Sequence, residues 1–307
     1  MRVLANVVSG FDIFHCVISP TFLNGSLLVQ SLARRSRVPV ILNIHGIIPV
    51  ERAYDMGITI SPAELWLRHT ETMMSVKAAS RIVVNTKFMF NDVIRWFGVK
   101  PEKVIVIPNG VNVSHFQDCN EHVMLDGDPS VLYVGRLARV KGVDILINAI
   151  AAVRNYFPNI KVHFIGHRDF TDVGLSDLIV EKGVEKNAVF HEWIPQSVLP
   201  SYYKSADFCV FPSVIESFGI VILEAMASGT PLIASDIAAF KEIISDESTG
   251  LFFQNGNVED LSRKMLRLAS DSKLKKQISQ KALEAVQAYD WKRVTQQYLS
   301  LYGSLIQ

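Results

Sequence analysis

A loop with three cations follows a strand-like run that ends at Gly135, and a helical pattern begins directly after this loop. The cations are Arg136, Arg139 and Lys141, and Gly142 precedes the helix. A helix N-terminus offers free backbone N–H groups and a partial positive charge, and flexible cations just ahead of it can clamp a diphosphate. Ligands of open α/β sheets bind where the strands end. The pattern therefore indicates a phosphate site, although a merely solvated basic loop has the same composition.

Two glutamates, eight residues apart in the segment ESFGIVILEAMASGTPLIASD, form the second candidate site. Glu216 follows the predicted strand Asp207–Phe211, whereas Glu224 lies inside a helix that Gly219 opens. A carboxylate accepts two hydroxyl hydrogen bonds at once, which suits a sugar ring or a ribose. The spacing alone favours two ordinary surface glutamates. Backbone N–H groups between the glutamates can contact sugar or phosphate oxygens, and they belong to Phe218, Gly219 and Ile220.

Both segments lie in a regular alternation of short β-branched runs and longer amphipathic stretches. This alternation is typical of parallel sheets covered by helices, so the predicted fold class is α/β. The predicted strands of the first part are Asp12–Val17, Val40–Ile44, Arg81–Val84 and Val104–Ile107. Those of the second part are Val131–Val134, Lys161–Ile165, Ala188–Phe190, Asp207–Phe211 and Pro231–Ala234.

The length of 307 residues predicts two domains. Between Val111 and Ser130 the apolar period gives way to turn-forming residues, which places the hinge there. We predict a partial Rossmann-like lobe over residues 1–118, a second lobe over 119–289 and a closing helix over 290–307 with one apolar face. The second lobe holds about six strand–helix units, enough for a complete Rossmann-like domain, whereas the first offers about four strands.

Composition excludes several classes of protein. The 31 basic and 30 acidic side chains nearly cancel, so charge alone does not favour nucleic acid as a partner. Three widely spaced cysteines fit neither a disulfide framework nor a zinc site.

The sequence shows neither a signal peptide nor an uninterrupted apolar run of about 18 residues, so we expect a cytoplasmic protein. Peripheral contact with the inner membrane face stays open, because residues 88–97 have an apolar stripe that fits either a membrane surface or a core.

Together these segments resemble retaining glycosyltransferases of family 4, which have the GT-B fold of two Rossmann-like lobes. The resemblance rests on GRLARVKG after a strand, on the E-x7-E spacing, on IPNGVN at Ile107–Asn112 and on the closing DWKRVTQQYLSLY. It runs almost the whole length of the chain, and in the second lobe the motifs recur in the order and spacing of the family. The resemblance also implies that the closing helix packs back on the first lobe.

The resemblance implies a role for each matching residue. Arg136 and Lys141 match the pair that neutralises the diphosphate of the donor. Glu216 matches the carboxylate that faces the transferred sugar, and Glu224 matches the one that holds the ribose. His45 looks like the first-lobe histidine that lies against the donor sugar. Further substrate contacts are implied for Gly135, Gly166, Phe218, Gly219 and Ile220.

The resemblance implies a reaction in which the sugar keeps its anomeric configuration and the departing phosphate oxygen takes the proton of the acceptor. We therefore expect transfer from a nucleotide-diphosphate sugar to a lipid, polysaccharide or small glycoside. Arg136 and Lys141 would supply the positive charge that a metal supplies elsewhere, and the single D-x-D, at residues 126–128, is typical of a turn. No metal is expected, and no cofactor other than the nucleotide sugar as co-substrate.

The first lobe departs from the family at its start. DIFHCVISPTF resembles the strand with D-v-v-H-x-H, with Val17 at the second histidine, and the glycine-rich loop that normally precedes this strand is missing from the sequence. The expectation is an incomplete first lobe, whose exposed sheet edge invites a partner chain that completes it. The alternative is a fragment or partner subunit that binds the donor without transferring it; a third interpretation is a sugar-nucleotide epimerase. Gly166-His167-Arg168 replaces the G-x-G of the family and leaves the base preference open.

Overall fold

The computed structural model describes residues 11–18, 38–46, 61, 70, 72–167, 174–191 and 193–306. The chain divides into two compact units. Unit 1 joins Met1–Asn109 to Lys292–Gln307, and unit 2 is Gly110–Trp291. This division differs from the predicted boundary after residue 118, because Val111 pairs with Asp290 and the segment that follows Val111 packs into the core of unit 2.

All strands in the described part of the chain pair in parallel. In unit 1, β1 (Phe14–Ile18), β2 (Val40–Ile44), β3 (Arg81–Val84) and β4 (Val104–Val106) lie side by side in this order. In unit 2, the order is β10-β9-β8-β5-β6-β7. These strands are β5 (Ser130–Val134), β6 (Lys161–Ile165), β7 (Ala188–His191), β8 (Phe208–Phe211), β9 (Leu232–Ser235) and β10 (Leu251–Phe253).

Helices cover both sheets. In the described part of unit 1, the long helix after β3 is α1 (Lys87–Phe97), and residues 72–78 are also helical. The helices that follow in chain order are α2 (Val113–Gln117), α3 (Val143–Val153), α4 (Leu175–Lys182), α5 (Leu199–Ser205), α6 (Ile220–Ser228), α7 (Ala238–Lys241), α8 (Val258–Ser270), α9 (Ser272–Ala285) and α10 (Trp291–Ile306).

The alternation of side chains along β2 places two apolar layers on opposite faces of the first sheet. Leu42 packs in one cluster with Met89 and Val93 of α1. Ile41 packs in another cluster, which includes Val294 of α10. A strand that is apolar on both faces is typical of a parallel sheet buried between helices.

Helix α1 shows where the apolar stripe of residues 88–97 goes. The helix begins at an N-cap, Thr86, whose side chain accepts a hydrogen bond from the backbone N–H of Met89. Met89 and Val93 are buried, whereas Phe88 and Trp96 are 37% and 54% exposed. The core therefore takes up one side of this stripe. Of the described helices, none has both the length and the apolar character needed to cross a membrane.

The strand order of unit 2 reverses at β5. The chain runs outward from β5 through β6 to β7, then returns to β8 on the other side of β5 and continues through β9 to β10. Such a reversal leaves a crevice at the carboxyl ends of the two strands that flank it, and ligands of open parallel sheets bind there. In unit 2 this crevice lies between the loops that follow β5 and β8.

Candidate donor-binding site

The loops after β5 and β8 contact each other through their backbones. The backbone N–H of Val214 donates to the carbonyl oxygen of Val140, at 2.9 Å. Gly142 ends the β5 loop with a φ of 68°, and a Cβ atom there would collide with the carbonyl oxygen of Pro212. Glycine is thus required twice, for the left-handed backbone and for the close approach.

This approach brings Lys141 and Glu216 together. The Nζ atom of Lys141 lies 2.7 Å from Oε1 of Glu216, and the two side chains are only 17% and 15% exposed. The hydroxyl of Ser213 lies 3.4 Å from the same oxygen. Because water reaches this ion pair poorly, removing either Lys141 or Glu216 would leave the charge of the other without compensation. The switch point of unit 2 therefore holds a coupled cation and anion.

Arg136 lies on the same β5 loop, with its side chain exposed. Its carbonyl oxygen accepts a hydrogen bond from the hydroxyl of the buried Tyr133, at 2.6 Å, so the backbone at this position is held in place. An exposed guanidinium on a fixed backbone can reach an anion in the crevice.

Gly135 and Gly166 hold the β5 loop against the loop that follows β6. The backbone N–H of Gly135 donates to the carbonyl oxygen of Ile165 at 2.9 Å, and that of Leu137 donates to His167 at 3.1 Å. A Cβ atom on Gly166 would collide with the carbonyl oxygen of Gly135. Both glycines therefore have a packing role, and their predicted contact with substrate stays a prediction. Arg168 lies outside the described residues.

The residues between the two glutamates form the start of α6. Gly219 has a φ of 104°, and a Cβ atom there would collide with the ring of Phe240. The side chain of Phe218 is buried, 3% exposed, and packs edge-on against Tyr289. Ile220 is 45% exposed. Because the ring of Phe218 belongs to the core, only its backbone is available to a ligand.

Glu224 is a buried carboxylate on α6, with 7% of its surface exposed. Its Oε2 atom accepts a hydrogen bond from the hydroxyl of Tyr203 on α5, at 2.8 Å. Burial raises the pKa of Glu224, while the Tyr203 hydrogen bond and the nearby His115 lower it. Composition and spacing gave no signal for Tyr203, because the sequence does not show which tyrosine of the pair at 202–203 faces inward.

His45 belongs to unit 1, directly after β2. Its Nδ1 atom lies 2.9 Å from Nδ2 of Asn85, which directly follows β3. Burial lowers the pKa of His45, so the imidazole is neutral near pH 7. His15 on β1 is a second imidazole of this unit, with Nδ1 2.7 Å from the hydroxyl of Tyr302.

The structure thus brings Lys141 and Glu216 into contact and gives Glu224 a different set of partners. That these residues share one ligand with Arg136 stays a prediction. Asp126, in the D-x-D, forms an ion pair with Lys161. Within the described ranges, no three His, Cys, Asp or Glu side chains cluster as a set of metal ligands.

Two Rossmann-like units, with a charged site at the switch point of the second, define the class of GT-B glycosyltransferases. Sequence profiles give the family. The profile described as Glycosyl transferases group 1 matches residues 117–285, and the one described as Glycosyltransferase Family 4 matches residues 1–115. The chain belongs to this glycosyltransferase family.

Individual relatives agree with this membership. An uncharacterized glycosyltransferase of Methanocaldococcus jannaschii is 30% identical over 96% of this chain and 76% of its own length. A D-inositol 3-phosphate glycosyltransferase of Streptomyces bingchenggensis is 28% identical over 88% of this chain and 62% of its own length. Anabaena HepE in complex with UDP-glucose superposes with a TM-score of 0.80 at 21% identity, covering 98% of this chain and 82% of its own. The last similarity supports the fold.

Proposed function

We propose that this protein is a retaining glycosyltransferase that moves a sugar from a nucleotide-diphosphate sugar to a hydroxyl of a lipid, polysaccharide or small glycoside. The contact between Lys141 and Glu216 at the switch point of unit 2 carries the proposal. The pair supports the proposal because a cation suited to a diphosphate and a carboxylate suited to sugar hydroxyls lie at the edge where such sheets bind ligands.

The donor is held in three parts in this proposal. Lys141 and Arg136 bind the diphosphate, because two cations on one short loop can contact both phosphates. Glu216 accepts hydrogen bonds from hydroxyls of the transferred sugar. Glu224 accepts hydrogen bonds from the ribose, since a carboxylate can pair with two neighbouring hydroxyls.

The proposed reaction needs no nucleophile from the protein. The bond between C1 of the sugar and the phosphate oxygen breaks while the acceptor oxygen bonds to C1 on the same face, so the configuration is retained. The acceptor proton passes to the departing phosphate oxygen. Negative charge develops on the diphosphate, and Arg136 and Lys141 stabilise it from a fixed loop. This charge compensation comes from the protein, so the proposed mechanism requires no metal.

A structural neighbour and a relative suggest which substrates to test first. HepE was crystallised with UDP-glucose, and UDP-glucose is therefore the first donor to test. D-inositol 3-phosphate is the first acceptor, from the name of the Streptomyces relative. His45 contributes to transfer in this proposal.

The experiment is a transfer assay with the purified chain, a panel of nucleotide sugars and several acceptors in the presence of EDTA. We expect nucleotide diphosphate release that depends on the acceptor, with a product whose anomeric configuration by NMR equals that of the donor. An inverted product would contradict the retaining mechanism. If the purified wild-type chain binds the donor without transferring the sugar, the result would instead support a binding subunit that needs a partner chain. If it forms an epimer from the donor alone, the result would indicate an epimerase.

A further inference from the structure

Tyr203 is a fully buried residue whose hydroxyl contacts the candidate ribose carboxylate. The hydroxyl donates to Oε2 of Glu224 at 2.8 Å. The backbone of Tyr203 is held as well, because the hydroxyl of Thr230 donates to its carbonyl oxygen at 2.7 Å. Tyr203 therefore has little freedom to leave Glu224.

The proton of this hydrogen bond belongs to the tyrosine. Burial and the neighbouring carboxylate raise the pKa of Tyr203 well above its usual range, so the hydroxyl stays protonated and donates. The other ionisable groups that face Glu224 are His115 on α2 and Cys209 on β8. Burial and Glu224 raise the pKa of Cys209, which stays a neutral thiol.

The two oxygens of the Glu224 carboxylate are not equivalent. Among the described residues, Tyr203 is the only hydrogen-bond donor to this carboxylate, and it takes Oε2. The other oxygen, Oε1, is not fully buried, although Glu224 as a whole is only 7% exposed. Oε1 thus keeps access to solvent. A glutamate has three rotatable side-chain bonds, and ordering them costs conformational entropy.

We propose that Tyr203 is a positioning residue for nucleotide binding: its hydroxyl fixes one oxygen of Glu224 so that the other faces the ribose hydroxyls. The inference rests on the proposed function, in which Glu224 holds the ribose. Tyr203 touches no substrate, and it acts by orienting the carboxylate before the nucleotide arrives and by favouring its ionised form.

The test compares Tyr203→Phe with Tyr202→Phe, which removes a hydroxyl from the adjacent, half-buried tyrosine of the same helix. UDP affinity is measured by calorimetry across a pH series. We expect Tyr203→Phe to weaken UDP binding about tenfold near pH 7, and we expect its loss of affinity on acidification to begin at a higher pH than in the wild type. The reason for the shift is that the removed hydrogen bond lowers the pKa of Glu224. Tyr202→Phe should follow the wild-type profile.

A fluorinated tyrosine separates positioning from folding. Site-specific 3-fluorotyrosine at 203 keeps the hydroxyl and makes it a stronger donor, so the acid loss of affinity should move to a lower pH. A role limited to packing would leave both profiles unchanged, and that result would overturn the proposal.

Glu224→Gln identifies which claim fails. If Glu224→Gln binds UDP as the wild type does, the ribose assignment itself is wrong. If Glu224→Gln weakens UDP binding but Tyr203→Phe and the fluorinated protein match the wild type at every pH, only the positioning role is wrong.

Discussion

Lys141 and Glu216 form an ion pair of 2.7 Å that joins the loops after β5 and β8 at the switch point of the second sheet. The pair is mostly withdrawn from water, so its two charges interact more strongly than charges on the open surface would. A diphosphate would replace the carboxylate as the partner of Lys141 and leave Glu216 to the sugar hydroxyls. Glu216 therefore competes with the diphosphate for Lys141, and the effect of this competition on UDP affinity can be measured.

Removing the charge of Glu216 should strengthen nucleotide binding and weaken catalysis. In Glu216→Gln, Lys141 loses its competing anion, so UDP should bind about three- to tenfold more tightly, which corresponds to about 0.7–1.4 kcal/mol. Transfer should fall, because an amide accepts fewer hydrogen bonds from the sugar than a carboxylate. Calorimetry with UDP and a transfer assay measure the two effects. Weaker UDP binding in Glu216→Gln would show that the ion pair does not oppose the ligand.

Arg136 and Lys141 of the β5 loop should contribute to turnover as well as to nucleotide binding. In the proposed mechanism Arg136→Ala and Lys141→Ala each remove charge that stabilises the departing diphosphate, and each should raise the barrier by about 2–4 kcal/mol. This corresponds to a loss of kcat of about 30- to 1000-fold. Lys273→Ala, an exposed cation on α9 of the same unit, is the control and should keep wild-type activity. Wild-type activity in Arg136→Ala would contradict the assignment.

Gly142 should be sensitive to a single methyl group. Gly142→Ala combines a left-handed φ of 68° with a collision against Pro212, and we expect it to lower the free energy of unfolding by at least about 3 kcal/mol. Gly256→Ala is the matched control, because its φ of 78° is similar but no described atom lies within 4 Å of the added Cβ. The control should cost about 1 kcal/mol. If Gly142→Ala and Gly256→Ala lower the free energy of unfolding equally in denaturant titrations, close contact between the loops after β5 and β8 is not needed for stability.

Glu224 should lower stability at neutral pH. Its folded-state pKa is raised by burial, so the folded protein binds this proton at pH values where the unfolded chain has released it. Stability from this group is therefore present below its ordinary pKa and is lost as the pH rises through the raised value. Glu224→Gln should unfold at a higher temperature than the wild type at pH 7, and this difference should shrink toward pH 4. A variant that is less stable at pH 7 would contradict this.

The sequence predicts the sheets well because parallel strands are apolar on both faces. The predicted strand Val40–Ile44 and the observed β2 are identical, and the α/β class is confirmed by the fold. β10, Leu251–Phe253, was not predicted. The helix α2 lies inside the predicted hinge, where polar residues conceal a single turn capped by Asn112.

Side-chain partners were harder to predict than the elements that carry them. Trp291, the first residue of the closing helix, is 45% exposed and its ring lies over Gly110 in unit 2, which the apolar period of the helix does not show. The contact between Glu224 and Tyr203 joins two helices whose relative packing is a tertiary property. No spacing rule within one helix encodes such a pair.

In the proposed function, the carboxyl edge of the second sheet binds a nucleotide diphosphate through Arg136 and Lys141. Calorimetric titration of UDP into the wild type and into the double variant Arg136→Ala/Lys141→Ala tests it most directly. We expect one site in the wild type and an affinity at least about 30-fold lower in the double variant, which corresponds to about 2 kcal/mol. Equal affinity in the two proteins would contradict it.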